Sequence, residues 1–238
     1  MKKKIVSLAL VVALIAIAAM GTLAYFTDID DAANVFTVGS VDIELTEATV
    51  DYNEDNATWE ANEERTTEGV TYEGAVYPGA VLPKDPTVEN KGINNAYIRA
   101  YVYFDYGYMT YLMDGLEGRD RYESYVDYVQ TFIGSEYGEG WSLKDVTIGL
   151  TPGETSGANT TFVAEFTYDR VLESGETTDP IFTQVTIPAE FDNEDLNWLN
   201  NVPAEYENKG MRIDVVVNAI QAEGFDSAEE AWNAYDAQ

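Results

Sequence analysis

Ala96-Tyr97-Ile98-Arg99-Ala100-Tyr101-Val102-Tyr103-Phe104 is the stretch on which the fold turns. Ile98, Ala100, Val102 and Phe104 fall on one face of an extended chain, and Tyr97, Arg99, Tyr101 and Tyr103 on the other. A period of two is the signature of a strand. Both faces are covered mainly by side chains that favour sheets, which fits a central strand. Working outward, Val35 to Leu45 repeats the period, with Val41, Ile43 and Leu45 alternating with Asp42, Glu44 and Thr46. Further strand patterns run over Trp141–Leu150, Thr161–Leu172, Ile181–Ile187 and Met211–Ile220. Tyr77-Pro78-Gly79, Pro83-Lys84-Asp85-Pro86, Asn90-Lys91-Gly92 and Glu173-Ser174-Gly175-Glu176 punctuate them as turns or extended breaks. Thr87 to Glu89 starts a strand, and the polar segment Asp51 to Glu68 reads as a loop.

The period changes between the strands. Tyr122, Tyr125, Val126, Val129, Phe132 and Ile133 recur at steps of three and four, which predicts an amphipathic helix within roughly 119–133. It is an insertion near 108–134 that caps one end of a sheet. A short helix is expected over Asp192 to Leu199. Ser227 and Glu230 have capping-box spacing and open a last helix with Ala228, Ala231, Trp232 and Tyr235 as its apolar stripe. Many short strands, regular turns and few helices predict a mainly β chain built as an antiparallel sandwich.

The N-terminus has a different logic. Met1-Lys2-Lys3-Lys4 precedes an apolar run from Ile5 to Met20 broken only by Ser7, and Gly21-Thr22-Leu23-Ala24 follows. A basic, an apolar and a small-residue region in that order predict a cleavable export signal over residues 1–24. A cut after Ala24, before Tyr25, places Thr22 at −3, next to the polar chain. A cut after Ala18 places Ala16 at −3. The alternative is an uncleaved anchor, since Ile5 to Ala24 is long enough to span a bilayer. No later segment is, so membrane contact is expected only through the uncleaved signal.

Removing residues 1–24 takes three lysines with it, and the formal net charge of −30 becomes −33. That excess argues against nucleic acid, whose phosphates demand basic side chains. It also argues against anionic membrane surfaces. High negative charge favours solubility outside the cell. The chain has no histidine, which excludes Ser-His-Asp and Cys-His catalysis and histidine-ligated zinc. It has no cysteine, and at this size a sandwich core needs no disulfide.

Forty-three acidic residues create many carboxylate pairs, but none is marked by its surroundings as the acid and base of a glycosidase. Calcium is the one candidate cofactor. Asp28, Asp30 and Asp31 cluster near the predicted mature end, and Asp51, Asn53 and Asp55 have the alternation that opens an EF-hand loop. Asn56 stands where that loop needs glycine and Asn62 where it needs a bidentate glutamate, so a solvated acidic loop accounts for the second group better. Tyrosines gather at Tyr97–Tyr111 and Tyr122–Tyr137. They suit packing and assembly more than a glycan platform. Asn56-Ala57-Thr58 and Asn159-Thr160-Thr161 match a glycosylation sequon that often occurs by accident.

Gly21-Thr22-Leu23-Ala24-Tyr25-Phe26-Thr27-Asp28 resembles the export-signal junction of the TasA/camelysin family of secreted Gram-positive proteins. The similarity continues through Asn34–Ile43, Tyr77-Pro78-Gly79, Lys84–Gly92 with Asn95–Arg99, and Ala219–Phe225. It covers 1–50, 77–104 and 181–238 best, and the middle, about 105–180, has no counterpart. The resemblance implies a jelly-roll-like sandwich and a biofilm matrix or surface fibre protein, processed by a dedicated signal peptidase. Family fibres look like donor-strand assemblies, in which an extended peptide adds to an open sheet edge. Carried onto this chain, the donor segment is 25–38, with Tyr25, Phe26, Val35, Phe36 and Val38 as its apolar residues. The family also carries a metallopeptidase label, which a chain without histidine gives no ground to transfer.

The expected division is thus a signal at 1–24, a donor-strand segment at 25–38 and a sandwich domain at 39–238. The expected function is a non-enzymatic secreted subunit whose partner is itself, in a head-to-tail homopolymer, with related matrix subunits as further partners. The alternative is a monomeric extracellular module of the cell surface that binds calcium or glycan. Assembly of like-charged subunits costs most at low salt, so acid or calcium is expected to promote it.

Overall fold

The computed structural model describes residues 27–31, 34–37, 41–72, 76–105, 124–150, 161–189 and 213–237, with backbone pairing alone for the first two segments. Eleven strands and two helices lie in these residues. In chain order they are β1 (Thr27–Asp31), β2 (Asn34–Thr37), β3 (Ile43–Asn53), β4 (Thr58–Thr66), β5 (Val81–Pro83), β6 (Thr87–Asn90), β7 (Ala96–Asp105), α1 (Tyr125–Ile133), β8 (Trp141–Gly149), β9 (Thr161–Tyr168), β10 (Gln184–Thr186), β11 (Ile213–Gln221) and α2 (Ala228–Asp236).

The strands form a six-stranded sheet in the order β2-β1-β11-β7-β9-β8, a three-stranded sheet β4-β3-β6 and a two-stranded ribbon β10-β5. Every pairing is antiparallel. One apolar core lies between the large sheet and the smaller ones. Ile98, Ala100, Val102 and Phe104 of β7 meet Phe162, Ala164 and Phe166 of β9 and Val215, Val217 and Ala219 of β11 on the inner face. Val41, Ile43, Leu45, Val88, Leu82 and Val185 close the core from the other side. The protein is therefore a mainly β, antiparallel, layered fold. The period-two reading of β7 corresponds to its position between β11 and β9, the most enclosed place in the sheet.

Helix α1 begins at Ser124, whose hydroxyl accepts from the Asp127 N–H, and ends at Gly134 with φ +78°. The left-handed conformation there suits glycine, which lacks a Cβ. Tyr128, Val129, Phe132 and Ile133 are buried. Phe132 lies 6.4 Å from Phe104, and Tyr128 stacks on Phe162 at 5.6 Å. These contacts place α1 over the end of the large sheet where β7 finishes and β9 begins, within the range 119–133 that the periodicity suggested.

Helix α2 covers the opposite face of that sheet. Ser227 caps it by accepting from the Glu230 N–H, while Glu230 reaches back to the N–H of Asp226, one residue before the cap. Its anchor is Arg99, 5 % exposed although it points away from the core. Arg99 donates to both carboxylate oxygens of Asp236 at 3.0 and 2.7 Å and sits 4.3 Å from the Trp232 ring and 5.2 Å from Tyr235. A buried guanidinium needs a fork-shaped partner or aromatic faces, and α2 supplies both.

One expectation is corrected. The polar segment Asp51 to Glu68 is an antiparallel hairpin, not a loop, with β3 running to Asn53 and β4 occupying Thr58–Thr66. Few of its residues favour sheets. Long-range polar contacts compensate. Arg65 donates to Thr46 Oγ1 and Thr46 O, to Asp85 Oδ2 and Asp85 O, and to Thr87 Oγ1. The other Asp85 oxygen accepts the Ala48 N–H at 2.7 Å. Trp59 packs edge-on against Tyr72, whose hydroxyl donates to the Pro83 carbonyl. The charged side chains of β4 suit an edge strand, where they discourage pairing with other chains. The expected helix at 192–199 lies outside the described residues.

Candidate functional site: the N-terminal hairpin and its acceptor edge

Strand β1 fills the edge of β11, from Thr27 opposite Ile220 to Asp31 opposite Val216. Strand β2 then pairs back along β1, with Asp31 opposite Asn34 and Asp28 opposite Thr37. The donor-strand segment expected as one extended stretch is thus a hairpin on the chain's own sheet. Without this hairpin β11 is the terminal strand of the sheet, bearing a row of unpaired backbone groups. Such an edge is a template for pairing with another strand.

The path of the chain explains the hairpin. β1 runs from the Ile220 end of β11 to its Val216 end. Val41, where the body of the fold begins, lies back at the first end. There the Asp42 carbonyl accepts from Lys91 N–H at 2.7 Å and Gly92 N–H at 2.9 Å, and the Asn95 carbonyl accepts from the Ala222 N–H just past β11. A single chain must therefore turn and return before it can enter β3, and β2 is that return.

Asn90 fixes the turn that holds Val41. Its side chain is fully buried; its amide donates to the Asn94 carbonyl at 2.9 Å and the Leu172 carbonyl at 3.0 Å, and its oxygen accepts the Gly92 N–H at 3.0 Å. At the tip of the turn Ile93 is 81 % exposed, the most exposed of the described large apolar residues. Lys91 beside it pairs with Glu44.

At the far end of β11 a shallow cleft opens between Ile213–Val215, Leu45–Glu47 and Thr66–Gly69. Its floor carries a buried ion pair. Lys84 donates to one oxygen of Glu47, and the other accepts the Val70 N–H at 3.0 Å. Burial, and the nearby charges of Glu47 and Asp85, push the Tyr72 hydroxyl well above its ordinary pKa. It is therefore a permanent donor at any physiological pH.

Neither protein-family models, curated proteins nor solved structures provide a match to this chain. The site must be read from its own geometry.

Of the residues singled out from sequence, Asp28, Asp30 and Asp31 fall on β1, and Val35 and Phe36 on β2. Ala24, Tyr25, Phe26 and Val38 lie outside the described residues. Asp28 and Asp30 stand opposite Ala219 and Val217, and Ile29 stands opposite Asn218. The second acidic group is spent on its own hairpin. Asp51 accepts from the Asn62 amide at 3.1 Å, Asn53 accepts from the Asp55 N–H at 3.0 Å, and the Asn53 amide donates to Glu60 at 2.9 Å. Among the described residues no three acids come together in a metal-holding group.

The aromatic residues pack on one another. Tyr52 and Trp59 are tilted by 54°, and Trp59 and Tyr72 by 82°. Such tilted and edge-on geometry buries ring area. Tyr128 and Tyr137, from the second tyrosine cluster, pack against Phe162 and Phe166 in the core.

Sequence reading named the turn at Asn90-Lys91-Gly92 but missed the exposed Ile93 at its tip, the cleft and the return strand. Ile93 had a signal: an isoleucine directly after a turn has no strand to bury in.

Proposed function

We propose that this chain is a non-enzymatic structural subunit that polymerises head to tail by strand exchange. The mature N-terminal segment of one copy takes the place of β1 on β11 of the next. The observation that carries this reading is the β1–β2 hairpin, which covers a sheet edge in its own chain. In the exchanged state the same β1–β11 pairing is kept, so its hydrogen bonds cost nothing to transfer, and only β2 is given up. The interface is heterologous and does not close, so repetition produces a filament. The resemblance to the TasA/camelysin family supports the same reading, with a jelly-roll-like sandwich and export through the signal at residues 1–24 to the extracellular matrix or cell surface. Cleavage after Ala24 would free Tyr25 and Phe26 at the start of the exchanging strand.

Electron microscopy of the chain starting at Tyr25 tests the proposal. Filaments are expected, promoted by acid or calcium, and deletion of residues 25–38 abolishes them. The truncated body keeps the β11 edge without a strand to donate. Added at a few per cent to the full-length chain, it should cap growing ends and shorten the filaments. Filaments of undiminished length and number from the truncated body alone would refute strand exchange. The competing reading, a monomeric calcium- or glycan-binding module, predicts a monomer at every pH and calcium concentration.

A further inference from the structure

We infer that the Ile93 turn of one copy seats in the Ile213-end cleft of the next, forming a second, side-chain interface beside the exchanged strand. The inference rests on the strand-exchange reading and follows from the direction of the chain. A donated β1 runs antiparallel to the acceptor's β11 and leaves it at the Val216 end. The donor's body therefore lies beyond that end, where the acceptor presents its cleft. The donor's chain enters its own body at Val41 and Asp42, which are held by Lys91 and Gly92. The end of the donor that faces the acceptor is thus the end bearing Ile93. Nine residues, 32–40, separate the donated strand from Val41 and reach at most about 30 Å, so the two ends stay close.

The surfaces match in chemistry. Ile93 is an apolar knob without cover in its own copy. The cleft offers Ile213 as its accessible apolar residue, with Leu45 and Val215 behind it at 5 % exposure. Its rim bears Glu68 and Asp214, while its lysine, Lys84, is already committed to Glu47. The donor's turn carries Lys91, which pairs with Glu44 in its own copy, to this acidic rim. On a chain that carries a net charge of −33 once residues 1–24 are removed, a lysine meeting acids is an attractive contact between subunits. Charge of this kind mainly sets orientation and association rate.

The absence of native cysteine makes the test clean. Ile93→Cys with Ile213→Cys cannot close within one chain. Ile213 and Gln221 are the two ends of β11, about 26 Å apart at the rise of a strand, and Ile93 lies beyond the second. A control pair, Ile29→Cys with Asn218→Cys, joins register partners of β1 and β11. Filaments of each variant are oxidised and run on denaturing gels without reductant. Ladders of covalent multimers from both pairs are the expected result. Ile93→Asp in the cysteine-free chain should slow filament growth at least tenfold without shifting the melting temperature. A ladder from the control pair alone, with Ile93→Asp growing as fast as the parent, overturns the inference and leaves strand exchange standing. A control pair that closes only within monomers overturns both.

Discussion

Replacing Asn90 tests the link between a buried amide and the geometry of assembly. The side chain is 0 % exposed and makes three hydrogen bonds of 2.9 to 3.0 Å. Asn90→Ala removes all three. Two of the partners keep another bond, because the Leu172 carbonyl still accepts from Ala96 and the Gly92 N–H still donates to Asp42. The loss is then about 1 kcal/mol per bond, or about 3 kcal/mol in all. For a chain of this size that lowers the melting temperature by about 6–12 °C. Asn90→Asp is the sharper variant. It keeps the acceptor for Gly92 but turns a second oxygen toward two carbonyls. Only the protonated carboxyl can donate there, so its pKa in the folded state rises above the unfolded value near 3.9. The folded chain then binds the proton more tightly. Relative to the parent, the variant is most stable below about pH 4 and loses stability as pH rises through the folded pKa. Urea unfolding followed by tryptophan fluorescence from pH 3.5 to 8 measures both effects. An Asn90→Ala chain within about 0.5 kcal/mol of the parent, or an Asn90→Asp deficit that does not grow with pH, would refute the reasoning.

Two further outcomes concern stability. Phe132→Ala empties the contact of α1 with Phe104, and that of Phe132 with Tyr128 on the same helix, and should cost about 3–5 kcal/mol in the same urea assay, with near-ultraviolet dichroism weakened. The hydrogen bond from Arg99 holds the Asp236 carboxyl below its ordinary pKa. Its contribution is present above the unfolded pKa and is lost as pH falls through the folded value, so acid unfolding below pH 4 should be flatter in Asp236→Asn. More than half of the Asp236 side chain is exposed, and screening keeps the effect under about 1 kcal/mol.

Much of the fold was legible because burial on one face imprints itself directly on the chain. Ile98 to Phe104, Phe162 to Tyr168 and Ile213 to Ala219 alternate because each strand faces one core. Tyr128, Val129, Phe132 and Ile133 follow a helical step because α1 buries one stripe. The β3–β4 hairpin escaped because its stability comes from Arg65 and Asp85, twenty residues apart, and no local preference records such a bond. The candidate site was legible in part. A donor strand at 25–38 was implied only by the resemblance to the TasA/camelysin family, and the acids within it read as a calcium cluster. That Thr27–Asp31 pair with β11 of their own chain, and Asn34–Thr37 with them, depends on where Val41 lies relative to Ile220, and distance between ends is not written in a pattern of residues.

By itself the sequence determined the class of the protein: an acidic, histidine-free, cysteine-free chain of alternating strands with an apolar run near its start. Those properties are sums and periods over neighbouring residues, and solvent imposes them locally. Tertiary structure alone decided which strand stands at the open edge, why the N-terminal segment must turn back, and that Ile93 and the cleft occupy opposite ends of one sheet. Pairing order and chain direction join residues nearly two hundred positions apart, such as Asp31 and Val216, through backbone groups that every residue carries alike.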